Sequence, residues 1–169
     1  IIEDNFWPPN PVIIKGLVQT SMGCPGQLYN GGILRATVRY FDTDATRPGL
    51  PSDVAALVDE LSADGCGIQL VNTSASESRN LIVQAGAFGE HAFTEIVCDG
   101  TQYSKDDPNP NMRMRSEKTT TSSKVPVNGK HFTVSLPPLT SVRLDCGLKR
   151  FANDPTCAFP WHGDKVPVE

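Results

Sequence analysis

The most regular alternation of apolar and polar positions in this chain lies near its end, in NGKHFTVSLPPLTSVRLDCGL, residues 128–148. In an extended chain successive side chains point to opposite sides, so Phe132, Val134 and Leu136 share one face and His131, Thr133 and Ser135 the other. After Pro137-Pro138 the pattern resumes, with Val142, Leu144, Cys146 and Leu148 inward and Ser141, Arg143 and Asp145 outward. Two prolines in a row remove two ladder donors, which rules out one long strand and favours a corner. Asn128-Gly129 is a turn pair before the first run.

The same period recurs upstream. PVIIKGLVQTS (11–21) reads as a first strand that starts after its prolines, and YNGG (29–32) as a turn. In ILRATVRYF (33–41), Leu34, Ala36, Val38 and Tyr40 share one face, against a basic outer face of Arg35, Thr37 and Arg39. Residues 66–74, 80–88 and 92–98 read as three more strands, and their short connectors predict an antiparallel meander. In that arrangement Cys66 and Cys98 stand on the order of 20 Å apart, out of disulfide reach.

One segment changes period. Within LPSDVAALVDELSADG (50–65), Val54, Leu57, Val58 and Leu61 fall at i, i+3, i+4 and i+7, the stripe of a short amphipathic helix, with Ser52 or Asp53 as cap and Gly65 at its end. Residues 99–127 are polar and aperiodic and read as a long loop. The tail 149–169 is irregular, and its Phe151, Phe159 and Trp161 are expected to anchor it. The fold class these patterns predict is all-β: a two-sheet antiparallel sandwich of about seven strands, immunoglobulin- or fibronectin-like, with one short helix, spanning residues 1–169 as a single domain.

Composition agrees with that class. Fourteen Gly and fourteen Pro among 169 residues supply the turns that many short strands need. A formal charge of −4 gives no basic excess for nucleic acid, and no apolar run is long enough for a helical membrane span. A chain starting at Ile1 with no initiator Met reads as a processed product or a fragment.

The candidate chemistry is sparse. Five cysteines and no C-x-x-C argue against structural zinc; Cys146 and Cys157, eleven residues apart across a turn, are the candidate disulfide. Cys24 lies among small residues with no local base to activate it. Asn72-Thr73-Ser74 is an N-glycosylation sequon. Glu90 with His91, His131, and His162 with Asp164 offer acid–base or ligand groups, but no spacing joins them. Asp107, Asn109 and Asn111 alternate as at the start of a calcium loop, yet Met112 and Lys118 stand where that loop requires Gly and Glu. No cofactor or metal is therefore expected, and no catalytic set. Trp7 and Trp161, with Tyr29 and Tyr103, are the aromatic candidates for stacking on sugar rings.

Leu70, Val71 and Asn72, followed by Pro137, Pro138, Ser141, Val142 and Leu144, resemble the strand and closing-strand signatures of the C-terminal β-sandwich found in many carbohydrate-active enzymes. The resemblance covers roughly residues 66–148. It implies a non-catalytic accessory module of a larger extracellular protein, possessing a neighbouring domain or subunit as partner and acting near polysaccharide, because in such enzymes the chemistry lies in another domain. A stand-alone glycan-binding or self-assembling protein is the alternative.

Overall fold

The computed structural model describes residues 15–24, 33–103 and 118–162. A helix, α1 (Lys15–Met22), and a 3-10 turn (Ile33–Arg35) precede nine strands: β1 (Val38–Asp42), β2 (Arg47–Pro48), β3 (Val54–Leu61), β4 (Gly65–Asn72), β5 (Arg79–Ala85), β6 (Ala92–Tyr103), β7 (Lys118–Gly129), β8 (His131–Leu136) and β9 (Thr140–Lys149). A second 3-10 turn, Pro160–His162, closes the described chain. The strands form two antiparallel sheets, one of four strands in the order β2-β1-β5-β8 and one of five in the order β3-β4-β9-β6-β7. This is a two-sheet β-sandwich.

The core lies between the sheets and is filled by the inward half of each alternation. Val38, Tyr40, Leu81, Val83 and Leu136 come from the four-stranded sheet and meet Ile68, Leu70, Phe93, Leu144 and Leu148 from the five-stranded one. The inward set expected for β9 holds, since Val142, Leu144, Cys146 and Leu148 are all buried. On β8 the expected phase also holds, with Leu136 fully covered and Thr133 and Ser135 exposed.

Several expected elements take other forms. Residues 54–61, expected as a helix, are strand β3. The pair Val54 and Val58, four residues apart, fits one side of a strand as well as one side of a helix, and both are buried. Leu57 then falls on the other side and is 43% exposed, while Leu61, past the bulge, is opposite Cys66 at the sheet edge and is 46% exposed. Pairing along β4 decides the matter, with a bulge between Val58 and Glu60. Instead of capping a helix, Asp53 binds Arg79 through both carboxylate oxygens at 2.8–3.1 Å. The chain's one described α-helix is α1, inside the segment expected as a first strand; residues 11–14 and the 29–32 turn lie outside the described residues. This helix packs against β3 and β1, and Tyr40 donates its hydroxyl to Ser21 O at 2.7 Å. It therefore covers one open flank between the sheets.

The expected meander is not formed. β4 belongs to the five-stranded sheet, between β3 and β9, whereas β5 belongs to the other, between β1 and β8. Both connectors cross from one sheet to the other, which short links manage because packed sheets stand only about 10 Å apart. The polar segment 99–127 is corrected as well. Its two ends are strand, since β6 and β7 pair from Phe93↔Gly129 out to Tyr103↔Lys118. The tail folds over the outer side of the four-stranded sheet. Phe159 and Trp161 meet Phe41 edge-on with ring centroids 6.0 and 5.7 Å apart, and Phe41 is fully buried as a result. Phe151, expected to share that anchoring, is 80% exposed.

Candidate functional site

The outer side of the five-stranded sheet carries a groove of about 580 Å³ across β3, β4 and β9. Its floor is unusual for a sheet. Gly65 and Gly67 on β4 and Gly147 on β9 project no side chain, leaving bare backbone. Gly67 is opposite Asp145, and Gln69 opposite Arg143. The Arg143 guanidinium leaves β9 and lies across β4 toward β3, directly over Gly67, where any Cβ would run into it.

Arg143 ties the three strands together. Its Nε donates to Asp145 Oδ1 at 2.8 Å, one terminal nitrogen pairs with Asp59, and the other reaches Glu60 Oε2 at 3.2 Å. The β3 bulge sets two successive acids, Asp59 and Glu60, beside the guanidinium. Gln69 Nε2 donates to Asp59 Oδ2 at 3.4 Å. Hydrogen bonding to Asp145, with the charges of Asp145 and Asp59, raises the Arg143 pKa, so the group stays cationic. Arg150 holds the rim by donating to the carbonyls of Ala63 and Ser62 at 2.7 Å each. The result is a rigid array of carboxylate acceptors and one amide over flat backbone.

The sequence-expected residues lie elsewhere. Asn72 is 1% exposed. Its Nδ2 donates to Glu77 O, Leu136 O and Pro137 O at 2.8–3.1 Å, and its Oδ1 accepts from Ser74 N at 2.9 Å. That nitrogen is fully engaged, and the sequon asparagine acts as a latch between β4 and the β8–β9 corner. Cys146 and Cys157 are both free thiols, the first in the core and the second exposed. The residue that faces Cys146 across the β4–β9 ladder is Cys66. Cys66 and Cys98 stand two strand spacings apart, roughly 10 Å, with β9 between. Cys24 is buried beside Ala36 and Ala87, and burial raises its thiol pKa. Trp161 is half-buried on Phe41, while Trp7, Tyr29, the Tyr103 side chain, Asp107, Asn109, Asn111 and Asp164 fall outside the described residues.

Glu90 and His91 serve the β5–β6 connector. The Glu90 carboxylate accepts from the backbone of Ala87 and Phe88 at 3.3 and 2.8 Å, and His91 Nδ1 accepts from Phe151 N at 3.1 Å. His131 Nε2 lies 2.9 Å from Gln84 Oε1, and the Gln84 amide donates in turn to Gly86 O and Ala87 O. His162 lies tilted against Phe159 and edge-on to Trp161 in the tail. Among the described residues no group of three or more His, Cys, Asp or Glu is arranged to hold a metal ion.

Comparison with known proteins adds little. No family model matches the chain. No curated protein matches it either. Among solved structures, an arabinose-bound GH51 α-L-arabinofuranosidase is similar over 60% of this chain and 16% of that one, at 15% identity and a TM-score of 0.47. That is a weak resemblance to a carbohydrate-active enzyme, and the chain spans under a fifth of its length.

Sequence patterns placed Arg143 and Asp145 on an outer face but not the groove, because Asp59 and Glu60 were assigned to a helix. The available signal was the alternation Gly65-x-Gly67 inside a strand, which marks close approach of another group.

His91 yields a pH prediction. Burial pushes its imidazole below the ordinary 6.5, against the pull of Glu90. The unfolded chain therefore binds more protons just below that value, so the stability is present above about pH 6.5 and falls as pH is lowered through it. Urea midpoints at about pH 7.5 and about pH 5.5 test this: the wild type should lose more between the two than a His91→Gln chain.

Proposed function

We propose that this chain is a non-catalytic β-sandwich module of a larger extracellular protein, and that it holds polysaccharide in the Arg143 groove beside a neighbouring domain. The observation that carries this reading is the array itself. Each sugar hydroxyl is both donor and acceptor, and a recognition surface for it needs fixed acceptors and donors that do not take its proton. Asp59, Asp145 and Glu60 are pinned by one guanidinium, so they suit hydrogen bonding to neutral hydroxyls better than acid–base catalysis. Gly67 lets the guanidinium lie flat on β4, so a sugar ring would meet Arg143 and its carboxylates rather than the strand backbone.

The test is binding of the purified chain to a glycan array and to soluble plant and microbial polysaccharides by affinity electrophoresis. Gly67→Ala displaces the guanidinium, a flexible side-chain end, and should weaken binding at least about tenfold, about 1.4 kcal/mol, while the fold persists. Trp161→Ala should leave binding unchanged, because that ring is engaged with Phe41 and Phe159. Absence of binding to every glycan, or loss with Trp161→Ala alone, would remove the groove from the reading.

A further inference from the structure

Cys66 on β4 and Cys146 on β9 are direct register partners. Opposed residues of an antiparallel pair point to the same side, and here that side is the core, where the two are 5% and 3% exposed. Leu148 N–H donates to Asp64 O at 2.7 Å two places along the same ladder. Ladder bonds recur at every second pair, so Cys66 and Cys146 also form a hydrogen-bonded pair with Cα atoms about 5.5 Å apart. Disulfides accept Cα separations of roughly 4.4–6.8 Å, so the strands need not slide for the sulfurs to join.

We infer that Cys66 and Cys146 form a cross-strand disulfide when the chain folds in the presence of a low-molecular-weight disulfide such as oxidised glutathione. One cysteine thiolate attacks a glutathione sulfur, forms a mixed disulfide and releases one glutathione. The second cysteine then attacks the protein sulfur of that mixed disulfide, forming the protein S–S bond and releasing the second glutathione. Two cysteine thiols are oxidised, one glutathione disulfide is reduced to two thiols, and the two protons pass from the cysteines to glutathione.

The surroundings of the pair set when this happens. Tyr40 of the opposite sheet packs in the same buried core cluster as both cysteines. Burial of both thiols shuts glutathione away from them once the sheets have met, and the adjoining Cys66 thiol and burial also raise the Cys146 pKa. The bond therefore forms during folding, and the closed fold preserves whichever state it closed on. The cross-link joins two adjacent inner strands of the larger sheet across a long stretch of chain.

The experiment refolds the whole chain from denaturant in a mixture of reduced and oxidised glutathione, blocks free thiols, and maps peptides by mass spectrometry with and without a reductant. Expected is one reductant-cleaved link between the Cys66 and Cys146 peptides and an unfolding midpoint roughly 8–15 °C above that of the chain refolded with reductant. The reduced native chain, given the same mixture without denaturant, should react far more slowly. Cys146→Ala abolishes both link and shift, and Cys98→Ala neither; the wild-type peptide map needs no variant to fold. Both thiols recovered alkylated after oxidative refolding, or a link from Cys146 to Cys157, would overturn the inference.

Discussion

An Asn72→Asp chain is expected to be about 4 kcal/mol less stable than wild type near neutral pH, and markedly less impaired at about pH 4. Asn72 Nδ2 shares its two N–H groups among three carbonyls, and aspartate offers an oxygen in its place. Three acceptors then face a fourth in a site that is 1% exposed in the wild type. Burial and the opposing carbonyl oxygens raise the new carboxyl's folded pKa above its unfolded value near 3.9. The folded state then holds the proton more tightly, so stability is retained below the unfolded pKa and lost as pH rises toward the folded one. Urea midpoints across that range measure the effect, and a pH-independent penalty, or none, would refute the latch. Asn72→Ala removes the donors without adding charge and should cost less, with no pH slope. For chain made through a secretory route, intact mass should find Asn72 unmodified.

Phe93→Ala is the second large effect, expected at about 3–5 kcal/mol and a fall in unfolding midpoint of roughly 8–15 °C. Phe93 is fully buried on β6 and meets Phe132 of the opposite sheet edge-on, at 4.8 Å between ring centroids. Truncation removes that contact and opens a void between two sheets whose backbones are held by their own ladders, so collapse is limited. Calorimetry compares it with Val125→Ala, whose side chain is 50% exposed on edge strand β7 and whose cost should stay under about 0.5 kcal/mol.

The legible part of this fold was the part whose burial is one-sided. β8 and β9 alternate because one side of each faces the core, and the sequence records it. β3 misled because Val54 and Val58 satisfy a helical and an extended period equally, while Leu57 and Leu61 are exposed apolar residues that no core demands. β7 was read as loop because an edge strand can be Thr-, Ser- and Lys-rich on both sides, with its order supplied by β6. The meander failed because connector length does not reveal whether a chain stays in a sheet or crosses to the next. The Arg143 groove depends on an arginine reaching two strands away over a glycine, a relation that exists only once Gln69 and Arg143 are opposed. Asn72 was visible as a sequon, but its three carbonyl partners come from residues 77, 136 and 137, which only the corner brings together.

The placement of β9 has a consequence for biosynthesis. It is the last of the described strands in chain order, yet it lies between β4 and β6 at the centre of the larger sheet. While a nascent chain is still emerging from the ribosome, the β3–β4 and β6–β7 hairpins can form, but each keeps a raw hydrogen-bonding edge where β9 belongs. Completion of the sheet waits on residues 140–149, which makes the unfinished chain a natural client for chaperones and a slow, non-local folder once released.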